Sequence, residues 1–343
     1  MKALVLEEYN KLVYKDVPDP EPGPDEVLVR VKACGICGSD VHGLDGSTGR
    51  RIPPIVMGHE ASGIIESTGR DVTGWKAGDR VTFDSTVYPL NDWYTLEGRY
   101  NLSDNRQVLG VSPGEYRRNG AFAEKVAVPG HILYRIPDTV SFEEAAMTEA
   151  AAVALHAINL GGIKTGESCI VSGTGMIGIF AVKLLVISGA GKIIALDTDA
   201  QKLKGAMECG AGYVFDPSAK DLSSLIASLT SSRGADISFE AAGTGESVNT
   251  LIDLTRKGGT VVLIGNTSRT VEFPLQKVVT RELRIQGSCA IRGEYDAVLS
   301  LLESRKLVVR DQISAIAPLS EGAEWFARLY RKEWKPGKVI LVP

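Results

Sequence analysis

The chain opens with MKALVLEEYNKLVYKDV, where apolar and polar residues alternate. A period of two predicts a strand with one buried face. Up to about residue 148 the same texture recurs in EVLVRVKAC, ASGIIEST and DRVTFDSTV, punctuated by Pro and Gly clusters such as PDPEPGPDE. Short strands between turn residues predict a compact, mainly antiparallel β domain. From Glu149 the period changes. AAAVALHAINLGG reads as a helix stopped by glycine; ESCIVSG, an apolar helix, GKIIALD, another helix and AGYVFDP then alternate strand with helix. ADISFEAAG, a helical stretch around SVNTLIDLTRKGG, the strand TVVLIGN and LRIQGSCA continue the series. Such alternation requires crossover connections, and so predicts parallel βαβ units in a doubly wound sheet. After Cys289 come further helix and GKVILVP, a strand able to return to the first domain. The predicted fold class is α/β, with a mainly-β domain over 1–148 and 287–343 and a doubly wound domain over 149–286.

With 343 residues, 44% apolar and 23% charged, the chain can bury two cores. A net charge of -4 gives no electrostatic basis for nucleic-acid binding, which needs clustered Lys and Arg. The N-terminal segment has no apolar signal-peptide core, and no span is long enough for a membrane. A cytoplasmic protein is expected. Cys34, Cys37, Cys169, Cys209 and Cys289 are too few, too scattered and odd in number for a secreted disulfide scaffold. They read as free thiols, one of them a candidate metal ligand.

ESCIVSGTGMIGIFAVKLL places Gly173, Gly175 and Gly178 in G-x-G-x-x-G spacing between a β-type run and an apolar helix. The first glycine permits the tight turn, the second lets backbone approach a pyrophosphate, and the third allows close helix–strand packing. The helix N-terminus meanwhile offers amides and positive dipole to the phosphates. Asp197 ends the strand GKIIALD about 20 residues further on, where a carboxylate accepts from ribose hydroxyls and repels a 2′-phosphate. NAD is expected in preference to NADP. The expected cofactor residues are Gly173, Gly175, Met176, Ile177, Gly178, Asp197, Ala242 and Gly265.

ACGICGSDVHG and VMGHEASG supply Cys37, His59 and Glu60, a mixed sulfur, nitrogen and oxygen set. Catalytic zinc commonly takes three protein ligands and leaves a fourth position open. A buried thiol near a satisfied histidine would read the same way, so from these residues alone both readings stand. Together, the G-H-E-x-x-G of Gly58 to Gly63, the CGICGSDVH of Cys34 to His42 and the later glycine fingerprint resemble the medium-chain dehydrogenases, over the whole chain. Within them the resemblance is to the sorbitol (iditol) and polyol dehydrogenases, with threonine and butanediol dehydrogenases as neighbours.

The resemblance implies a GroES-like catalytic domain, a Rossmann domain and an active site in the cleft between them. It implies one catalytic zinc on Cys37, His59 and Glu60, with Glu149 either ligating the metal or holding its water. Ser39 and His42 would relay the alcohol proton; a histidine with an unperturbed pKa of about 6.5 suits that task. Cys34 is assigned to packing. NAD would accept a hydride from a secondary alcohol, giving a ketone. A small hydroxylated substrate and a homodimer or homotetramer, joined along the TVVLIGN–LRIQGSCA sheet edge, follow from the same source.

Two departures stand out. The four cysteines that hold a second, structural zinc in many relatives are replaced by Pro89, Asp92, Thr95 and Ser103. The lobe is therefore expected to fold without metal on Tyr88, Trp93, Tyr94 and Tyr100. Animal sorbitol dehydrogenases carry Tyr after the CGSDVH histidine and Arg in the loop after the last Rossmann strand; this chain has Gly43 and Ala290, with Arg292 nearby. Rival readings are a dehydrogenase of a vicinal diol, threonine or sugar phosphate, and a zinc-free reductase or dinucleotide-binding protein of the same fold.

Overall fold

The opening alternation becomes a hairpin, Lys2–Glu8 against Lys11–Asp16, turning at Asn10 with φ 63°. Its first strand departs from the one-faced expectation, because Ala3 to Leu6 are all buried. That strand also pairs with Ile55–Val56, and the start of the helix Gly322–Tyr330 covers Leu4, leaving no room for a side chain at Gly322. The computed structural model describes residues 1–111, 118–334 and 337–343. They divide into two units, Met1–Glu149 with Ile291–Pro343, and Ala150–Ala290.

In the first unit, Glu26–Gly35 is the middle of a seven-stranded sheet. It pairs antiparallel with Glu60–Thr68, with Lys125–Pro129 and with Lys338–Val342. Arg80–Phe83 and Leu133–Arg135 extend the sheet on one side, and Ile313–Pro318 on the other. Its Val, Ile and Phe residues build the core, including Val27, Val29 and Phe83, all at 0% exposure; full burial of such side chains is worth about 1.5–3 kcal/mol each. The strand Lys338–Val342 returns the chain to this sheet, so the second unit is an insertion within the first.

The second unit is a six-stranded parallel sheet ordered Tyr213–Phe215, Lys192–Leu196, Ser168–Ser172, Ala235–Glu240, Thr255–Leu263, Arg284–Gly287. The order reverses between Ser168–Ser172 and Ala235–Glu240, where open α/β sheets form ligand crevices. Continuous apolar runs such as Ile193 to Leu196 are buried, as strands covered on both faces require. The expected helix around SVNTLIDLTRKGG ends earlier, at Leu254. Thr255 is extended, its hydroxyl donates to the Leu251 carbonyl at 2.7 Å, and it begins the next strand opposite Ala235. A β-branched residue whose hydroxyl closes the last turn favours leaving the helix there. Among the described residues no helix is long and apolar enough to cross a membrane.

Candidate active site

Cys37 caps a six-residue helix, Gly38–Gly43, whose third residue, Asp40, closes a capping box onto it. That turn brings Cys37 to the end of the strand Glu26–Gly35. Gly58 has φ +95°, and a Cβ there would lie 2.8 Å from the Phe122 amide nitrogen and 3.0 Å from Cys34 Sγ. Only glycine fits both the backbone and the space, and His59 follows directly. Glu60 starts its strand opposite Gly35. The ligand atoms of Cys37, His59 and Glu60 consequently lie within 4.8 Å of one another, the only such group among the described residues. A thiol, an imidazole and a carboxylate at this spacing fit a zinc ion.

Two charged partners that the sequence reading did not single out hold this set. Asp40, wholly buried, lies with Oδ1 3.4 Å from His59 Nδ1 and 2.6 Å from the buried Arg51 guanidinium. With Nδ1 turned to Asp40, His59 keeps Nε2 for a metal. Burial lowers the His59 pKa, but Asp40 and Cys37 outweigh it and hold it well above the usual range. Burial likewise opposes ionisation of Asp40, and His59 and Arg51 overcome it, keeping its pKa low. Lys338, 3% exposed, donates to Glu60 Oε2 at 2.5 Å. Gly35 makes that pair possible, because a Cβ there would sit 2.6 Å from Glu60 Oε2. The bond leaves Oε1 as the free Glu60 oxygen.

Glu149 stands outside the triad, in the first turn of Thr148–Gly161. Burial, opposed by His59 and reinforced by Glu60, raises its pKa to about 7. Ser39 and His42 lie exposed on the Gly38–Gly43 helix, and Ser39 Oγ accepts from Arg51 at 3.4 Å. Cys34 is buried and burial pushes its thiol pKa up. The space above Gly43 is filled by Arg51, whose Cγ would stand 2.5 Å from a Cβ at that position. Ala290 has φ +53°, and Arg292 is exposed, its amide donating to Glu294 at 2.5 Å.

In the second unit a cavity of about 420 Å³ is lined by Gly173, Gly175, Asp197 and Ala242, together with Thr198, Lys202, Thr244 and Ser247. The glycines divide the work. Gly173 has φ +88°, and a Cβ on Gly178 would lie 1.9 Å from the Gly173 carbonyl oxygen, so both are fixed by the protein itself. A Cβ on Gly175 would meet no protein atom within 4 Å; its bareness opens the cavity wall, which fits close approach of a pyrophosphate. Met176 and Ile177 begin the helix Met176–Ile187. Asp197 is tied to the glycine loop, Oδ2 accepting from Thr174 N at 2.8 Å, while Oδ1 accepts from Asp199 N at 3.0 Å. Gly265 lies against Gly243, a Cβ there meeting its nitrogen at 2.2 Å. Lys202, Thr244 and Ser247 were missed, since a lysine or hydroxyl on a helix or at its cap carries no spacing signature for a ligand.

In the lobe, Asp92 caps the short helix Trp93–Leu96, accepting from Tyr94 N and Thr95 N. Tyr88 stacks on Tyr100 at 4.2 Å, and Trp93 meets Tyr94 edge-on at 4.9 Å. The Tyr100 hydroxyl donates to Asp84 at 2.7 Å and accepts from Gly293 N at 2.8 Å. Ser103 is fully buried.

A strand-built unit with a buried S, N, O triad and a parallel sheet with a glycine-loop cavity define a metal-dependent dehydrogenase. Residues 23–138 match the alcohol dehydrogenase GroES-like domain and residues 177–304 the zinc-binding dehydrogenase family. The chain is 34% identical to D-xylulose reductase of Saccharomyces cerevisiae, across 95% of this chain and 93% of that one. It is 34% identical to sorbitol dehydrogenase of Pongo abelii, across 94% and 91%. A Sinorhizobium meliloti 1021 protein solved bound to NADP superimposes with a TM-score of 0.89 at 33% identity, covering 100% of this chain and 99% of that one. The chain belongs to the zinc-dependent medium-chain dehydrogenases, in their sorbitol and polyol branch.

Proposed function

We propose that this oxidoreductase oxidises a secondary alcohol of a polyol to a ketone, with NAD as hydride acceptor. The single observation carrying the reading is the buried convergence of Cys37, His59 and Glu60 within 4.8 Å, in a family defined by zinc. Zinc, when bound, supplies Lewis-acid polarisation of the substrate hydroxyl. Cys37, His59 and Glu60 Oε1 would hold it, and Glu149 would ligate it or hold its water. Ser39 and His42, both exposed on one helix, pass the hydroxyl proton to solvent. NAD would lie on the glycine loop of the second unit, with Met176, Ile177, Ala242 and Gly265 around it. Asp197 would face the adenosine ribose and disfavour a 2′-phosphate. The first unit thus carries the metal, the second the dinucleotide. Gly43 and Ala290 stand where animal sorbitol dehydrogenases present Tyr and Arg, so a polyol would be held here by other side chains than in those enzymes. The exposed edge strand Arg284–Gly287 is the surface through which a homodimer or homotetramer would form, and five free cysteines suit the cytoplasm.

The test is NAD reduction across polyols, vicinal diols, threonine and sugar phosphates, with zinc measured on the same sample. Turnover of a polyol and about one zinc per subunit are expected, with both lost in Cys37→Ser. Preference for a diol or sugar phosphate would move the substrate class; a zinc-free, inactive preparation with intact dinucleotide binding would overturn the reading.

A further inference from the structure

Arg51 is a residue that neither motif nor family pattern singled out. It is 1% exposed, its stem is pressed against Gly43, and its guanidinium donates to Asp40 Oδ1 at 2.6 Å and to Ser39 Oγ at 3.4 Å. Asp40 meanwhile reaches both expected nitrogen and sulfur ligands: Oδ1 faces His59 Nδ1 at 3.4 Å, and Oδ2 accepts from the Cys37 amide at 3.3 Å. The same carboxylate oxygen thus serves the arginine and the histidine, and the arginine holds the shorter contact. His59 Nδ1 is buried and left without a hydrogen bond.

From this geometry we infer that Arg51 is a positioning residue that weakens the grip of the metal site on zinc by drawing Asp40 away from His59. The inference rests on the proposed zinc reading of Cys37, His59 and Glu60. A carboxylate that accepts fully from a ligating histidine raises the basicity of that ligand and tightens metal binding. An oxygen shared with a guanidinium gives the imidazole less. The fixed positive charge also opposes a second cation nearby. Both effects have one sign: the native arrangement gives up zinc affinity, and a less strongly donating ligand leaves the ion a stronger Lewis acid. The Gly43 contact makes the effect reproducible, because it locks the arginine stem in one position.

The sign separates this role from mere support of the fold, since loss of a structural residue would loosen zinc. Zinc affinity is measured by chelator competition on wild type, Arg51→Met, Arg51→Gln and Arg51→Lys, with absorption spectra of the cobalt-substituted proteins. Arg51→Met is expected to hold zinc about tenfold more tightly and to shift the cobalt bands. Arg51→Gln, neutral but still able to donate, should fall between it and wild type, and Arg51→Lys, which keeps the charge, should stay near wild type. If Arg51→Met does not fold, the ordering of Gln against Lys decides. Equal or weaker zinc binding in the neutral variants overturns the inference. Equal zinc binding by wild type and Cys37→Ser overturns instead the metal reading on which it stands.

Discussion

Asp84 shows how a single buried group makes stability depend on pH. It is 1% exposed and accepts from Thr86 N at 2.8 Å and from the Tyr100 hydroxyl at 2.7 Å. Burial outweighs both bonds and raises its pKa to about 6. An unfolded aspartate titrates at about 3.9, so between these values the unfolded chain has lost a proton that the folded chain keeps. Stability from this group is therefore present below about pH 4, falls as pH rises to about 6, and stays reduced above; the shift amounts to about 3 kcal/mol. Asp84→Asn removes the charge and one bond worth about 1 kcal/mol. It should melt below wild type at pH 4 and above it at pH 8, and parallel melting curves at the two pH values would count against the assignment. At this scale the sequence pointed to Cys37, His59 and Glu60 as a candidate set, because two contiguous motifs carry them, and the fold brings their ligand atoms within 4.8 Å. It did not show Arg51 on Asp40 or Lys338 on Glu60: the latter pair is separated by 278 positions and meets only through sheet register.

Among the elements, the lobe helix Trp93–Leu96 depends on its cap. Four residues cannot hold a helix by propensity alone, and Asp92 satisfies two of its free amides. Asp92→Ala should cost about 1 kcal/mol in denaturant unfolding, while Asp92→Asn should cost little; an equal loss in both would point to charge rather than capping. The aromatic packing expected there is split: Tyr88 on Tyr100 is partly buried, whereas Trp93 is 63% exposed. Strand and helix identities were legible wherever a period ran for several residues. The end of the helix at Leu254 was not, because TRKGG lacks a period and its place is set by pairing of Thr255 with Ala235.

For the whole molecule, the change of texture near Glu149 marks the passage from a mainly antiparallel sheet, whose parallel pair is Ile313–Pro318 with Lys338–Val342, to a wholly parallel one, and it was visible because strands covered on both faces need unbroken apolar runs. Each unit holds its own candidate binding residues, so chelation should separate their functions. Removing zinc is expected to abolish alcohol oxidation while NADH fluorescence still reports dinucleotide binding; simultaneous loss of both would mean that the metal also holds the second unit in shape. Asp197→Ala should do the converse, weakening NAD binding about tenfold or more without changing zinc content, as loss of a charge-assisted hydrogen bond of about 1.5–3 kcal/mol implies.

The returning strand Lys338–Val342 also has a meaning in the order of synthesis. The ribosome makes the whole of Ala150–Ala290 before it makes the strand that pairs with Cys34 and Gly35. The parallel sheet can therefore close on the nascent chain, while the mainly antiparallel sheet waits with the Cys34–Gly35 end of its middle strand unpaired and Glu60 without Lys338. Zinc offered during translation would meet the proposed site before Lys338 is in place. A stop codon after the inserted unit would yield a finished dinucleotide fold attached to an open-edged one, the kind of intermediate that chaperones hold and proteases clear.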